Sequence, residues 1–195
     1  MIFIIDTSSV PSVIATISSP NRWDEMGFNP RETPIATQFP YMVKDASKLT
    51  KVAVATGPGS FTGLRAGVAF GLGLAIGLRI PIVPLPSLGL QAARSERPAT
   101  AVIDAGRGRY YFQVPGEQPR LGAPAEIPAT HHLVGSVADR ARLIAAGHRF
   151  LPDGELRSFA DAAAKLLETA CEVPYRKLEI RYMQSFSAKG QTWSR

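Results

Sequence analysis

Two short stretches carry residue types that chemistry uses. Asp6-Thr7-Ser8 puts a carboxylate ahead of two hydroxyls, a set able to organise magnesium and phosphate oxygens. The same residues also make an ordinary turn at a strand end. Gly57-Pro58-Gly59-Ser60-Phe61-Thr62-Gly63-Leu64-Arg65 is a glycine loop carrying two helix-capping residues, Ser60 and Thr62. Loop amides and the helix N-terminus behind them favour an anion. Asp6, Thr7, Gly59, Ser60, Thr62 and Arg65 are therefore the candidate anion or nucleotide contacts. Leu64-Arg65 stands where a Walker A loop needs Lys and Ser/Thr, which argues against ATP hydrolysis by that route. The glycines equally suit a tight strand-to-helix turn. Asp104, followed by Gly106 and Gly108, repeats the aspartate-and-turn arrangement.

Other catalytic sets are not found. His131, His132 and His148 include no i,i+4 helical pair, so no zincin-like metal site can be drawn. No Gly-x-Ser-x-Gly elbow occurs among the serines. The one cysteine, Cys171, makes neither an intramolecular disulfide nor a cysteine metal cluster, which fits a reducing cytoplasm. No catalytic residue, metal or cofactor is expected.

The elements around the glycine loop set its meaning. Val52–Ala55 reads as a strand entering the loop, 62–78 as a helix and Ile80–Leu85 as a further strand, which together make a parallel crossover. On the helix Gly63, Gly67, Gly71 and Ala75 recur every four residues and so share one face. Glycine in a helix interior costs about 1 kcal/mol relative to alanine, so the stripe needs a compensating close contact. That contact is either this chain's own sheet or a second subunit. With Phe70 and Leu74 beside them, Gly63, Gly67, Gly71 and Ala75 are the candidate partner interface. Ala66–Leu78 lacks charge but spans only 13 residues between two arginines, short of the roughly 20 a membrane span needs; no membrane is expected.

Around this unit, Ile2–Ile5, Val10–Ser18 and Arg22–Phe28 read as strands, with Ser19-Pro20-Asn21 as a turn. Ile35–Ala46 has helical periodicity with Pro40 inside it. Ser87–Arg94 reads as a short helix. From Thr100 the plan restarts, with a hairpin over 101–114. Then come a loop over Gly116–Pro128, a short helix over Leu133–Arg140 and a short strand over Leu143–Ala146. Ser158 and Asp161 form a capping-box variant ahead of a helix whose apolar face is Phe159, Ala163, Leu166, Leu167 and Ala170. The stretch 173–195, with five Lys/Arg against one acidic residue, reads as partly disordered. Asp6 and Asp104 each end the first strand of their half, a hint of duplicated architecture.

A chain of 195 residues, 45% hydrophobic and 19% charged, suits one large domain or two small lobes. The net charge of +6 divides evenly between the halves, so there is no basic arm. A diffuse positive field of this kind aids encounter with RNA or an acidic protein.

The run Gly57 to Gly67 resembles the signature of the bacterial TsaB (YeaZ) family. Ile4-Ile5-Asp6-Thr7-Ser8 resembles that family's first strand and turn. Phe39-Pro40-Tyr41-Met42-Val43 resembles its Leu-Pro-x-x-Val stretch, and Ile103-Asp104-Ala105 with Tyr111 its Ile-Asp-Ala-Arg…Tyr segment. Tyr182-Met183-Gln184 resembles its terminal Tyr-Leu-Arg. Departures are Pro34 in place of a histidine, Gly106 in place of an arginine, Arg109 in place of an acidic residue and Gln184 in place of the last arginine. The resemblance is strong over 50–114 and weak after about 120.

The resemblance implies an α/β fold of two actin/Hsp70/sugar-kinase-like (ASKHA) lobes, residues 1–99 with the glycine loop and 100–195 as a reduced second lobe. It further implies a cytoplasmic, non-catalytic partner subunit. That subunit would scaffold a TsaD-type catalytic subunit and a TsaE-type ATPase, which install threonylcarbamoyl on the adenosine beside the anticodon of ANN-decoding tRNAs. Contact with tRNA would be indirect, and a homodimer is open for the isolated chain. The competing reading is a small ATP-dependent phosphotransferase, using Asp6, Thr7 and the glycine loop with Asp104 as base. A peptidase has no ligand set or nucleophile behind it.

Overall fold

The first strand explains the layering. β1 (Ile2–Asp6) is apolar without alternation, and Phe3, Ile4 and Ile5 are at most 1% exposed, as expected of a strand covered on both faces. A computed structural model describes residues 1–19 and 22–183 of the chain. Pro20 and Asn21 of the expected turn, and Gln184 onward, lie outside the described residues.

β2 (Ser12–Ser19) and β3 (Arg22–Phe28) extend the sheet from β1 antiparallel, while β4 (Lys51–Ala55) and β5 (Ile82–Leu85) extend it parallel on the other side. The order is β3-β2-β1-β4-β5. Alternate side chains feed two cores. Phe3, Ile5, Val52 and Val54 pack under α1 (Ile35–Met42) and α2 (Phe61–Leu78). Ile4, Ala53 and Ala55 pack under α5 (Phe159–Leu167).

The second sheet repeats the plan. β6 (Thr100–Gly106) pairs antiparallel with β7 (Arg109–Gln113), β7 with β8 (Arg120–Gly122), and β6 parallel with β9 (Leu133–Ser136). Its order β8-β7-β6-β9 matches the first sheet without the fifth strand. α3 (Ser87–Ala93) joins the sheets, with Leu90 in the core under α5 and Leu88 against Ala101 and Ile103 of β6.

Two expected elements exchange types. Leu133–Arg140, read as a helix, begins with strand β9, and Leu143–Ala146, read as a strand, lies largely in helix α4 (Arg140–Ala145). Apolar runs of four residues do not fix a period. Here neighbours decide: Gly135 lies so close to the Val102 carbonyl that any side chain would collide. The expected loop over Gly116–Pro128 contains β8, paired to β7.

The expected apolar face of α5 is the observed one. Ser158 Oγ accepts the Asp161 amide at 3.0 Å and donates to the Asp161 carboxylate at 2.6 Å. The expected disorder of the last stretch does not hold for 173–183, which returns to the first sheet and α2. Val173 bridges Ile82, the Tyr175 hydroxyl reaches the carbonyls of Ala75 (3.2 Å) and Ile80 (2.9 Å), and the Arg181 amide donates to Thr56 O at 2.8 Å.

Candidate functional site

α2 begins where Ser60 Oγ accepts the Gly63 amide at 3.2 Å, so Ser60 is the cap, while Thr62 is an exposed residue within the helix. The helix ends at Arg79 in the left-handed conformation. Its glycine stripe faces inward. A methyl group on Gly63 would collide with the Thr7 carbonyl, on Gly67 with Thr7 Oγ1 and on Gly71 with the Val54 side chain. Ala75 is fully buried. The stripe as an open groove for a second subunit is therefore a misreading: the glycines bring α2 against β1 and β4 of this same chain. Phe70 and Leu74 are half-buried at the edge of that core, and Phe39 of α1 stacks edge-on against Phe70 at 5.6 Å.

The outward face of α2 carries a second run of small residues. Ala66, Ala69, Gly73, Ile76 and Gly77 are exposed, Ile76 by 50%. A Cβ built on Gly73 or Gly77 would meet nothing within 4 Å. α1 beside it has no charged residue and no buried one, and its Tyr41 is 65% exposed. Helix faces turned to water ordinarily carry charge; this one has only Arg65, near its start. Among the described residues α2 is the one helix long and apolar enough, by length and composition alone, to cross a membrane. Its inner face is nevertheless seated on the sheet.

A cavity of about 510 Å³ lies between the sheets. Ser8, Gly59 and Ser60 line it from the side of the first sheet, Asp104 and Tyr111 from the second sheet, and Arg181 from the returning C-terminal segment. Ser8 Oγ is fully buried and has no hydrogen-bond partner among the described residues. Burial pushes the Tyr111 phenol above its ordinary value, partly offset by Arg109.

Two amides of the glycine loop are spent within the chain. The Gly57 amide donates to Ser87 Oγ at 3.0 Å, the Ser60 amide to Ser8 O at 2.7 Å, and Gly59 lies against the Ser8 backbone. Gly57 has φ +105°, and a side chain there would strike Arg181 O, so the position requires glycine. Of the six expected anion contacts only Gly59 and Ser60 line the cleft. Thr7 Oγ1 donates to Gly63 O at 2.7 Å. Arg65 lies over the Phe61 ring at 3.8 Å and donates to the Tyr182 hydroxyl at 3.1 Å. Asp6 is 3% exposed and faces a different cavity. Burial raises its carboxyl above the usual range, with Ser8 pulling the other way.

Asn29, Arg31 and Arg181 also line the cleft, and sequence reasoning missed all three. Asn29 and Arg31 sit in the turn after β3, and Arg181 arrives only because the chain doubles back. Asp104 mirrors Asp6: Gly106 N donates to Asp104 Oδ1 at 2.6 Å as Ser8 N donates to Asp6 Oδ1 at 2.8 Å. Among the described residues no group of three or more His, Cys, Asp and Glu side chains converges to hold a metal.

The family model for TsaD, tRNA N6-adenosine threonylcarbamoyltransferase, matches residues 43–192. The tRNA threonylcarbamoyladenosine biosynthesis protein TsaB of Bacillus subtilis (strain 168) is 42% identical over 66 residues, 32% of this chain and 29% of that protein. Its namesake in Haemophilus influenzae (strain ATCC 51907 / DSM 11121 / KW20 / Rd) is 35% identical over 80 residues, 38% of this chain and 34% of that protein. The matched stretch spans about a third of these relatives' length. A Pseudomonas aeruginosa protein of solved structure, described as uncharacterized with similarity to peptidase YEAZ, superposes with TM-score 0.70 at 19% identity, over 94% of this chain and 99% of that one. YeaZ from Pseudomonas aeruginosa superposes with TM-score 0.57 at 20% identity, over 65% of this chain and 69% of that one. The fold is thus the ASKHA-like α/β fold of YeaZ, with two mixed sheets and flanking helices. With more than half of its residues under that model and its named relatives among the TsaB proteins, the chain belongs to the TsaD family as a TsaB (YeaZ)-type member.

Proposed function

We propose that this chain is a non-catalytic subunit in the biosynthesis of threonylcarbamoyladenosine in tRNA. It docks a TsaD-type catalytic subunit through the outward face of α1 and α2, and a TsaE-type ATPase and tRNA join through that subunit. The observation that carries the reading is the outer face, charged only at Arg65 near its start: Tyr41, Ala66, Ala69, Gly73, Ile76 and Gly77 lie exposed on adjoining helices. Apolar surface of this kind is stabilised by burial at roughly 25 cal/mol per Å², and exposed small residues let a facing helix come close. The names of the relatives supply the pathway and the physics supplies the docking face. The same face serves a homodimer when the catalytic subunit is absent. Mixing the purified chain with a TsaD-type subunit, read by size-exclusion chromatography with light scattering, tests it. A stoichiometric complex is expected; two unassociated species would refute it.

A second reading, an ATP-dependent phosphotransferase, draws on the unpartnered Ser8 hydroxyl at the cleft. Titration calorimetry of the isolated chain with ATP–Mg²⁺ separates the two. The subunit reading expects no turnover, and phosphoryl transfer would favour the second.

A further inference from the structure

A second cavity, of about 340 Å³, is separated from the cleft by Ser9, Val10 and Ser136, which line both. Its walls carry both signs of charge. Asp6 and Glu25 come from β1 and β3 of the first sheet, Arg94 from the end of α3, and Arg140 from the start of α4. Two of these are already engaged. Arg140 pairs with Asp153 at 2.9 Å, and Glu25 accepts the Ala160 amide at 2.9 Å in the first turn of α5.

Three polar side chains on the cavity wall, Gln91, Asp6 and Arg94, lie near one another in the lining, and Gln91 Oε1 is the one atom of theirs buried without a partner among the described residues. Gln91, 4% exposed, has no partner for Oε1. Asp6, 3% exposed, accepts the Ser8 amide on Oδ1 at 2.8 Å. Arg94 is half-buried, donates from Nε to Arg157 O at 3.3 Å, and, behind the Arg140 hydrogen bond, its charge helps hold the Asp153 carboxyl, also on this wall, below its usual range. A buried polar atom without a partner, such as Gln91 Oε1, is rare in folded proteins and calls for an explanation.

We propose that this cavity binds a small zwitterion of the α-amino acid class, its carboxylate on Arg94 and its ammonium between Asp6 and Gln91 Oε1. A lone anion would face Asp6 and Glu25. A metal ion would face Arg94 and Arg140, and no convergent ligand set exists among the described residues. An uncharged polyol would leave a buried carboxylate without a counter-charge. One molecule bearing both charges complements Arg94, Asp6 and the unpartnered Gln91 Oε1 together, and guanidinium is the side chain suited to gripping a carboxylate. The volume is at the small end of ligand sites. This site stands apart from the docking face and does not depend on it.

The test is a thermal-shift and saturation-transfer NMR screen of the full chain against the L-amino acids at millimolar concentration. At least one is expected to bind saturably, while its decarboxylated amine and its deaminated acid do not. Arg94→Met and Gln91→Leu should each weaken that binding by about tenfold or more, the loss of one charge-assisted or buried hydrogen bond. If circular dichroism shows Gln91→Leu unfolded, Arg94→Met decides alone. Absence of binding by every amino acid would overturn the proposal. So would equal binding of the amine, the acid or glycerol, or an Arg94→Met variant with unchanged affinity.

Discussion

Thr7 Oγ1 occupies the space in front of Gly67. Its hydroxyl donates to Gly63 O at 2.7 Å, and a methyl group on Gly67 would collide with it. The turn after β1 and the first half of α2 are thus held together at backbone distance. Alanine at position 67 gains about 1 kcal/mol of helix propensity and must displace a β-branched, hydrogen-bonded neighbour. Gly67→Ala is expected to lose about 1–3 kcal/mol net in urea unfolding. Adding Thr7→Ala should recover part of that loss; strictly additive effects would contradict the contact.

The outer glycines should behave in the opposite way. Nothing within 4 Å awaits a side chain at Gly73. In the isolated chain Gly73→Ala is expected to stabilise by up to about 1 kcal/mol. A destabilised Gly73→Ala would mean that this face is packed within the monomer.

Asp6 gives a pH signature. Its carboxyl is raised in the folded state by burial, so folding favours the protonated form. The stabilisation this provides is complete below the unfolded carboxyl value, about 3.9, and is lost as pH rises through the folded value. Asp6→Asn keeps an acceptor for the Ser8 amide without a charge to bury. Thermal unfolding from pH 4 upward should show the variant gaining on the wild type. A constant difference across that range would count against it.

The C-terminal segment is pinned by Arg65, which lies over Phe61 and donates to the Tyr182 hydroxyl. Exposed cation–π contacts contribute about 0.5–1 kcal/mol. Arg65→Gln should cost about that much locally and speed hydrogen exchange at the Arg181 amide, which donates to Thr56 O. Unchanged exchange there would show that the segment is held by other contacts.

Much of this fold was legible because long periodic stretches leave little choice. The strands of the first sheet, the eighteen-residue helix and the cap at Ser158 followed from patterning. The exchange of strand and helix around 133–146 was not legible, since Leu133-Val134 fits either state and only the approach of Gly135 to Val102 decides it. The glycine stripe was legible as a close-packing face, but spacing carries no information about which neighbour fills it. The cleft was half legible: Gly59 and Ser60 stand in a visible loop, whereas Arg31 and Arg181 reach it by long-range folding. The buried Ser8 hydroxyl has no signature apart from its place after Asp6-Thr7.

The most direct measurement places a large charged side chain where the outer face is open. A Cβ at position 73 meets nothing within 4 Å in the folded chain, so the unfolding temperature of Gly73→Arg should match or exceed that of the wild type. Its affinity for a TsaD-type subunit, measured by titration calorimetry, should fall by at least about a hundredfold, equivalent to roughly 2.8 kcal/mol. A Gly73→Arg protein that folds normally and binds that subunit as the wild type does would contradict the assignment of this face.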